Sequence, residues 1–520
     1  MKKILLLLII TGNAVYITNC QTTFNLRDRY GFEACTLASI IPTDSCYYVT
    51  GIIADTIFPY KTGTIFVKLD LEGNPLLIKT LKSVGKTYET WYNSLTLLDD
   101  GNLFVTGYSI DSMLKTILIK YNVNGDTLFV KEFQSPYFPS NDFIVPRGGS
   151  VVLQDGGVAI LNYLGKGVGN YTDADFYIIR TDSSGTILWD KIYATPLWER
   201  PESLKATPDG KMIAGGILTN QGTNVQNYTF QCHIFQVDTL GKKEWSYTSP
   251  LSSGLRDAAN DMLLLDDGSI IVASGIGHEQ YHPSVSEVYF DRYVFKLNPQ
   301  HEIEWELTFA DPTITLLTGT SNLVGLSDGS GYILAGRVHS APEQPSGYSA
   351  TKGWLAKISP DGDSIWTRSY SYPMAPPSRH IVYDLKETPD GGLILCGQSR
   401  DWNNYPQQGW LLKLDQHGCL VPGCHLSDVV EEEAVDERIH LSIYPNPARD
   451  YLNFYLRTPS PVREASFRII NAAGVMVSKF KSDMPDVTYI VPVWDWPSGV
   501  YFLQYLEEGQ VRTSQKFIKH

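Results

Sequence analysis

Ten residues of this chain combine reactive or adhesive side chains with irregular, polar surroundings: Trp91, Trp198, Arg200, Arg256, Tyr281, His282, Arg379, His380, Trp402 and Tyr405. Aromatic rings offer broad apolar faces, guanidinium groups grip carboxylates and phosphates, and imidazoles bind metal or move protons. These residues are scattered along the chain and form no compact motif. Neither His282 nor His380 has a partner at metal or triad spacing, and the chain has no nucleophile elbow, phosphate loop, zinc motif or calcium loop. The expectation is therefore no metal, no cofactor and a surface suited to polymers, glycans or proteins. Arg256 and Arg379 each stand eleven positions before the aspartate of an Asp-Gly pair, Asp267 and Asp390, which aims both at one place in a repeated unit. Solvated loop arginines are the plainer alternative.

The repeated unit positions these residues. One half is a strand, an Asp-Gly turn and a second apolar strand often ending in glycine: Asp100-Gly101 to Gly107, Asp155-Gly156, Asp209-Gly210 to Gly215, Asp267-Gly268 to Gly275, Asp328-Gly329 to Gly336 and Asp390-Gly391 to Gly397. Asp44 to Gly51 is a degenerate first copy. The other half ends a strand on a triplet such as Lys68-Leu69-Asp70 or Lys413-Leu414-Asp415, turns, and usually brings in an aromatic such as Phe129, Trp189, Trp245, Trp305 or Trp366. Four strands per unit, with a tight turn in each hairpin, predict an all-β, seven-bladed β-propeller over residues 22–424. An open two-sheet arrangement is the alternative.

The recurrent tryptophans then belong to blade packing and the recurrent aspartates to turn geometry. The seventh unit lacks a fourth strand, so residues 22–31 are expected beside the strand Trp410 to Leu414, closing the ring. All tight turns fall on one side. The other carries the longer connections, Tyr108–Thr116, Gly165–Asp175, Leu218–Gln231, His278–Asp291, Val338–Lys352 and Ser399–Gln408, where a ligand is expected. The Asp-x-x-Gly-x-x-x-Trp pattern resembles that of quinoprotein-like propellers. No vicinal disulfide or metal-ligand set accompanies it to hold such a cofactor. The sialidase box fits poorly, because in Ser359-Pro360-Asp361-Gly362-Asp363-Ser364-Ile365-Trp366 the glycine comes one position early.

Residues 440–520 read as a separate antiparallel sandwich of short alternating runs, of immunoglobulin-like type. They open on Tyr444-Pro445-Asn446-Pro447, turn at Asn471 to Gly474, pass through Ser498-Gly499-Val500-Tyr501 and end on a basic strand with Lys516. These motifs closely resemble the C-terminal sorting domain of the type IX secretion system of Bacteroidetes-type bacteria. The resemblance implies that Pro445, Asn446, Pro447, Gly499, Tyr501 and Lys516 belong to a sorting signal, that the secretion machinery is a partner, and that the protein reaches the cell surface or medium through the periplasm. Trp494-Asp495-Trp496 departs from the aliphatic run more usual there.

The other end agrees. Lys2 and Lys3 precede an apolar run from Ile4 to Ile10, read as a signal peptide over residues 1–20. No later run is long and apolar enough to span a bilayer. A net charge of −14 argues against nucleic acid as a partner, and the excess of 31 tyrosines over 7 methionines favours strands. An acidic stretch containing Glu431-Glu432-Glu433 is read as a linker over 425–439. Cys419 with Cys424 and Cys35 with Cys46 are disulfide candidates, whereas Cys232 and Cys396 are expected to be buried thiols. The functional expectation is a secreted or surface-bound, monomeric binding protein with a glycan or protein ligand. The alternative is a polysaccharide hydrolase or lyase whose acid and base come from loop residues.

Overall fold

Strands dominate because apolar side chains recur at alternate positions between turns that only Gly, Asn or Asp make easily. The computed structural model describes residues 21–55, 62–137, 143–165, 174–220, 229–250, 258–277, 290–309, 319–339, 351–372, 378–401, 407–421, 424–426, 440–444, 446–457, 465–481, 488–507 and 510–520. The chain divides into two compact units at Leu426 and Ser427.

The first unit contains seven successive antiparallel blades. The first is built from Ala34–Pro42, Tyr47–Ala54, Thr62–Leu69 and Pro75–Leu81, numbered from inner to outer strand. In the second blade the inner strand is split into Thr87–Thr90 and Thr96–Leu97. The seventh takes Ser378–Glu387, Leu393–Asp401 and Gln408–Leu414 from the end of the unit and its outer strand, Phe24–Asp28, from the beginning. The expected closure is thus present, with Phe24 opposite Lys413 and Asp28 opposite Gly409. Trp410 Nε1 donates to Asn25 Oδ1 at 2.8 Å, and Asn25 Nδ2 donates to Ser371 O of the sixth blade at 3.0 Å.

Local chemistry explains the repeat. At each turn between third and outer strands, one side-chain oxygen of the triplet's last residue accepts backbone amides further on. Asp182 takes those of Ser184 and Thr186 at 2.9 Å, and Asp70, Asn122, Asp238, Asn298 and Asp415 do the same in their blades. The glycine that follows has positive φ and lies under an aromatic ring of the preceding blade. A Cβ at Gly241 would come within 2.9 Å of Trp189, one at Gly362 within 2.6 Å of Trp305 and one at Gly418 within 2.7 Å of Trp366. In the fifth blade His301 holds this position at φ 63° and stacks on Trp245 with centroids 3.8 Å apart. The tryptophans are therefore clamps between neighbouring blades, as expected. Between them lie apolar seams such as Leu161, Phe176, Ile178, Ala214 and Phe235, where each large side chain contributes about 1.5–3 kcal/mol.

Tyr108–Thr116 is not a long loop: the strands Leu103–Ile110 and Leu114–Tyr121 run on to a tight connection. Cys35 and Cys46 do not pair, and both are buried thiols. Cys35 lies opposite Ile53 at one end of its hairpin, whereas Cys46 lies beside the Pro42–Tyr47 pair at the other, about 20 Å away at roughly 3.3 Å per residue. Cys419 and Cys424 do form a disulfide, with Cα atoms 5.7 Å apart, and Cys232 and Cys396 are buried thiols.

The second unit packs the sheet His440–Tyr444, Tyr451–Arg457 and Thr488–Pro492 against the sheet Met476–Lys481, Ala465–Asn471, Gly499–Glu507 and Gln510–Lys519. Phe454 and Phe467, with ring centroids 4.7 Å apart, bridge the two at the centre of its core.

Because Phe24–Asp28 is, among the described residues, the only strand paired with the outer edge of Gln408–Leu414, deleting residues 22–31 exposes a sheet edge and opens the ring. Scanning calorimetry should place the first unfolding transition about 5 °C or more below that of the intact protein. An unchanged transition would mean that this strand does not hold the ring.

Candidate functional site

The inner strands face the channel, and those of six blades are interrupted by an irregularity near their middle; the described inner strand of the fifth, Asp261–Leu264, pairs in unbroken register. The register slips at Ala38 in the first blade, Glu202 in the fourth, Ser321 in the sixth and Tyr383 in the seventh. In the third it slips across Arg147-Gly148-Gly149, and in the second the strand breaks around Asn93. The bulge forces glycine on the neighbouring strand. A Cβ at Gly51, Gly107, Gly216, Gly336 or Gly397 would fall 1.9–2.1 Å from an inner-strand carbonyl oxygen.

After each bulge stands a short polar residue, and together these residues sew the blades to one another. Asp384 Oδ2 accepts the amide of Ile40 at 2.9 Å, and Ser39 Oγ accepts those of Ser94 and Leu95 at 2.6 and 3.1 Å. Ser203 Oγ donates to Asp261 Oδ1 at 3.2 Å, Asp261 Oδ2 accepts the amide of Leu323 at 2.9 Å, and Asn322 Nδ2 donates to Tyr383 O at 3.3 Å. With this ring fixed, the extra residues of the bulges face the central channel.

They line a cavity of about 800 Å³, to which the second to seventh blades contribute Asn93, Gly149, Glu202, Asn260, Ser321 and Tyr383. That volume lies within the range of roughly 300–1,000 Å³ common for small-molecule pockets. On the side away from the tight turns stand Trp91, Arg147, Arg200 and Arg337, the last opposite Gly319, which has no side chain to block it. Glu202 joins two of them: Arg147 Nη2 lies 2.9 Å and Arg200 Nε 2.5 Å from its Oε1. Burial alone would raise the Glu202 carboxyl, but Arg200 and Arg147 outweigh it and hold the group below its ordinary value. Tyr92 and Tyr383 stack at 3.9 Å and 9° across the first blade, whose bulge contributes only Ala38. Burial pushes both phenols up, Tyr383 well above its usual range. Toward the tight turns Lys386 donates to Asn93 Oδ1 at 2.8 Å and pairs with Asp384, while Lys205 lies 2.7 Å from Asp261.

Of the ten residues singled out in the sequence, Trp91 and Arg200 line this cavity. Trp198 packs edge-on against Tyr163 at 6.1 Å, and Arg379 lies at a parallel bridge to Thr351. His380 is fully buried beside Trp410, and its ring nitrogens engage the backbone: Nε2 accepts from Tyr372 N at 2.9 Å and Nδ1 lies 3.2 Å from Thr351 O. Burial lowers it to about 4, so it is a neutral packing residue. Arg256, Tyr281, His282, Trp402 and Tyr405 lie outside the described residues, as does Pro445. The sequence reading missed Arg147, Glu202, Arg337, Tyr92 and Tyr383. A signal was present: Asn93, Glu202, Asn260, Ser321 and Tyr383 each precede the aspartate of their blade's first turn by seven positions.

No described carboxylate cluster suits a metal in the channel. The grouping Asp415, Cys419 and His425 lies elsewhere, and its cysteine is oxidised in the Cys419–Cys424 disulfide. In the second unit Asn446 Oδ1 accepts from Ile518 N at 2.8 Å and its Nδ2 donates to Lys516 O at 3.4 Å, so the opening motif pins the terminal strand. Tyr501 is buried, donates to Pro497 O at 2.7 Å and stacks on Phe517. Pro447, Gly499 and Lys516 are exposed beside it.

The fold and site define an all-β propeller with a ligand-sized central channel and a sandwich tail. Residues 442–520 match the family described as a secretion system C-terminal sorting domain. The chain therefore carries a type IX sorting domain and is a protein exported to the cell surface or beyond; no helix among its described residues is long and apolar enough to cross a membrane. No curated protein matches it in sequence. Similar solved structures include a protein of unknown function from Dyadobacter fermentans, 14% identical with a TM-score of 0.40, the match covering 65% of this chain and 99% of that one. A puromycin hydrolase is 12% identical with a TM-score of 0.46, covering 80% of this chain and 58% of that one. An ulvan lyase is 8% identical with a TM-score of 0.46, covering 76% and 97%.

Beside the channel, Glu199 is fully buried between Trp198 and Arg200. One oxygen accepts from Phe176 N at 3.2 Å, and the other has no hydrogen-bond partner. Burial, with nearby Asp175 adding to it, pushes this carboxyl up to about 7. The folded protein therefore holds a proton that the unfolded chain releases at lower pH, so this group's contribution falls as pH rises through about 4.5 to 7. Replacing Glu199 with Gln should leave melting unchanged at the acidic end and raise stability by roughly 1–3 kcal/mol at pH 8. Parallel melting curves for the two proteins across that range would contradict the assignment.

Proposed function

We propose that this exported propeller is a binding protein whose ligand enters the central channel from the side away from the tight turns. The observation that carries this reading is the convergence of bulge residues from five blades, together with Asn260 of a sixth, on one cavity of about 800 Å³. Those positions lie off the apolar seams, and where they touch one another they do so by polar or stacking contacts: Glu202 with Arg147, Asn93 with Lys386 and Tyr383 with Tyr92. They hold Asn, Glu, Ser and Tyr, side chains that meet a ligand and do not simply fill space.

The alternative of a polysaccharide hydrolase or lyase finds less support in the ionisation of the site. A general acid or base needs a pKa near the working pH. Glu202 is held ionised between two arginines, Asp261 is paired with Lys205, and Tyr383 stays a protonated phenol. The raised carboxyls, Glu199 and Asp384, are fully buried at blade seams.

Replacing Ser321 with Trp places a large ring in the channel at the cost of one hydrogen bond, from Ser321 Oγ to Asn322 Oδ1 at 2.9 Å. Mature protein applied to glycan and protein arrays should retain a ligand that the Ser321→Trp variant, melting at the same temperature, does not. Equal binding by the variant would move the site off the channel. Shortening of an arrayed polysaccharide by the wild type would favour the enzyme.

A further inference from the structure

We infer that Lys386 and Asn93 are the reactants of an intramolecular isopeptide bond, formed with loss of ammonia and assisted by Asp384, that fastens the seventh blade to the second. Lys386 Nζ donates to Asn93 Oδ1 at 2.8 Å, although 293 positions separate the two residues. With ordinary carbonyl hydrogen-bond geometry such a contact leaves the nitrogen about 3.6 Å from the amide carbon Cγ, close to the separation of reacting atoms in near-attack conformers. The same Nζ donates to Asp384 Oδ1. Nucleophile, electrophile and proton carrier therefore meet at one atom.

Each of the three is held in place. Asp384 is fully buried, with Oδ2 accepting from Ile40 N at 2.9 Å and Oδ1 from Leu385 N at 2.8 Å. Asn93 stands at φ 48°, and its own backbone amide donates to Ala38 O at 3.1 Å. Asn93 and Lys386 both line the central cavity, which gives a released ammonia its way out. Lys205, at the matching position of the fourth blade, meets the carboxylate of Asp261 instead and forms an ordinary ion pair.

The reaction balances without a co-reactant. The Lys386 ammonium passes a proton to Asp384, and the freed lone pair attacks Cγ of Asn93, pushing the carbonyl electrons onto Oδ1. Burial raises the Asp384 carboxyl even against the pull of Lys386, so this transfer is easier than to an exposed carboxylate. As the carbonyl reforms, the bond from Cγ to Nδ2 breaks. Nδ2 takes up the two protons that Nζ has lost and departs as ammonium, and Asp384 ends as the carboxylate it began as. The product amide spans the first blade and reinforces the contacts that Asp384 makes to Ile40 and Ser39 to Ser94. It also closes most of the ring into one covalent loop, which restricts the unfolded chain of an exported protein.

Mass spectrometry of the full mature protein, reduced and denatured, tests this. The intact chain should weigh one ammonia less than its sequence. Tryptic digestion should give a branched peptide joining residues 87–115 to residues 380–400, uncut after Lys386. Lys386→Arg, which keeps the charge and loses the amine nucleophile, should restore the full mass. Should that variant fail to fold, Asn93→Ala decides in its place. Asp384→Asn, which can still accept the amide of Ile40, should also stay unlinked. Separate, unbranched peptides from the wild type, or a loss of ammonia that persists without Lys386, would overturn the inference. A linked Asp384→Asn protein would overturn the role given to Asp384.

Discussion

Each blade ends, at the centre of the ring, in a strand with no further strand to pair with. Unpaired backbone groups there must be satisfied or face water in a narrow channel. The chain solves this with side chains: Asp384, Ser39 and Asp261 accept amides of the next blade's inner strand, and Asn322 donates to the carbonyl oxygen of Tyr383. For these short residues to reach across, the strand slips by one position just before them. The slipped residue is thereby turned into the channel. Ring assembly and the central cavity are thus two results of one backbone irregularity, at the cost of a glycine opposite it in most blades.

The outside of the ring follows a different economy. There the positive-φ glycines 185, 241, 362 and 418 lie under aromatic rings of the preceding blade, and only in the fifth blade does a side chain, His301, take that place. These clamps repeat because they carry no ligand information. Channel positions vary from Ala38 to Tyr383, and their contacts differ from blade to blade: Glu202 pairs with Arg147, Asn93 accepts from Lys386 and Tyr383 stacks on Tyr92. Repetition marks scaffold in this protein, and variation at a fixed place in the repeat marks the site.

That contrast explains what could be read from the amino acids alone. The seven units, the closing strand and the sandwich were legible, since turn residues and alternation are local signals. The sorting tail was legible from Asn446, Gly499 and Tyr501, which hold or border its terminal strand. The site was only partly legible. Choosing reactive residues from the longest connections led to His380, which is buried, whereas the bulges stand seven positions before the turn aspartate. A bulge leaves no residue type behind it, so Glu202 and Tyr383 could be found only by aligning the units on their turns. The Cys35–Cys46 pairing failed for a related reason, since nearness in sequence across a hairpin ignores which end of the strand each residue occupies.

Amide hydrogen exchange tests the central claim most directly, because Ser94 and Leu95 lie outside the regular ladder and have Ser39 Oγ as their acceptor. If polar side chains lock each inner strand to its neighbour, these two amides, with those of Ile40 and Leu323, should exchange as slowly as the amides of the middle strands. Those of Ser94 and Leu95 should become fast when Ser39 is replaced by Ala, and that of Leu323 when Asp261 is replaced by Leu. Rapid exchange of the four amides in the unaltered protein, at the rate of exposed turns, would contradict the account.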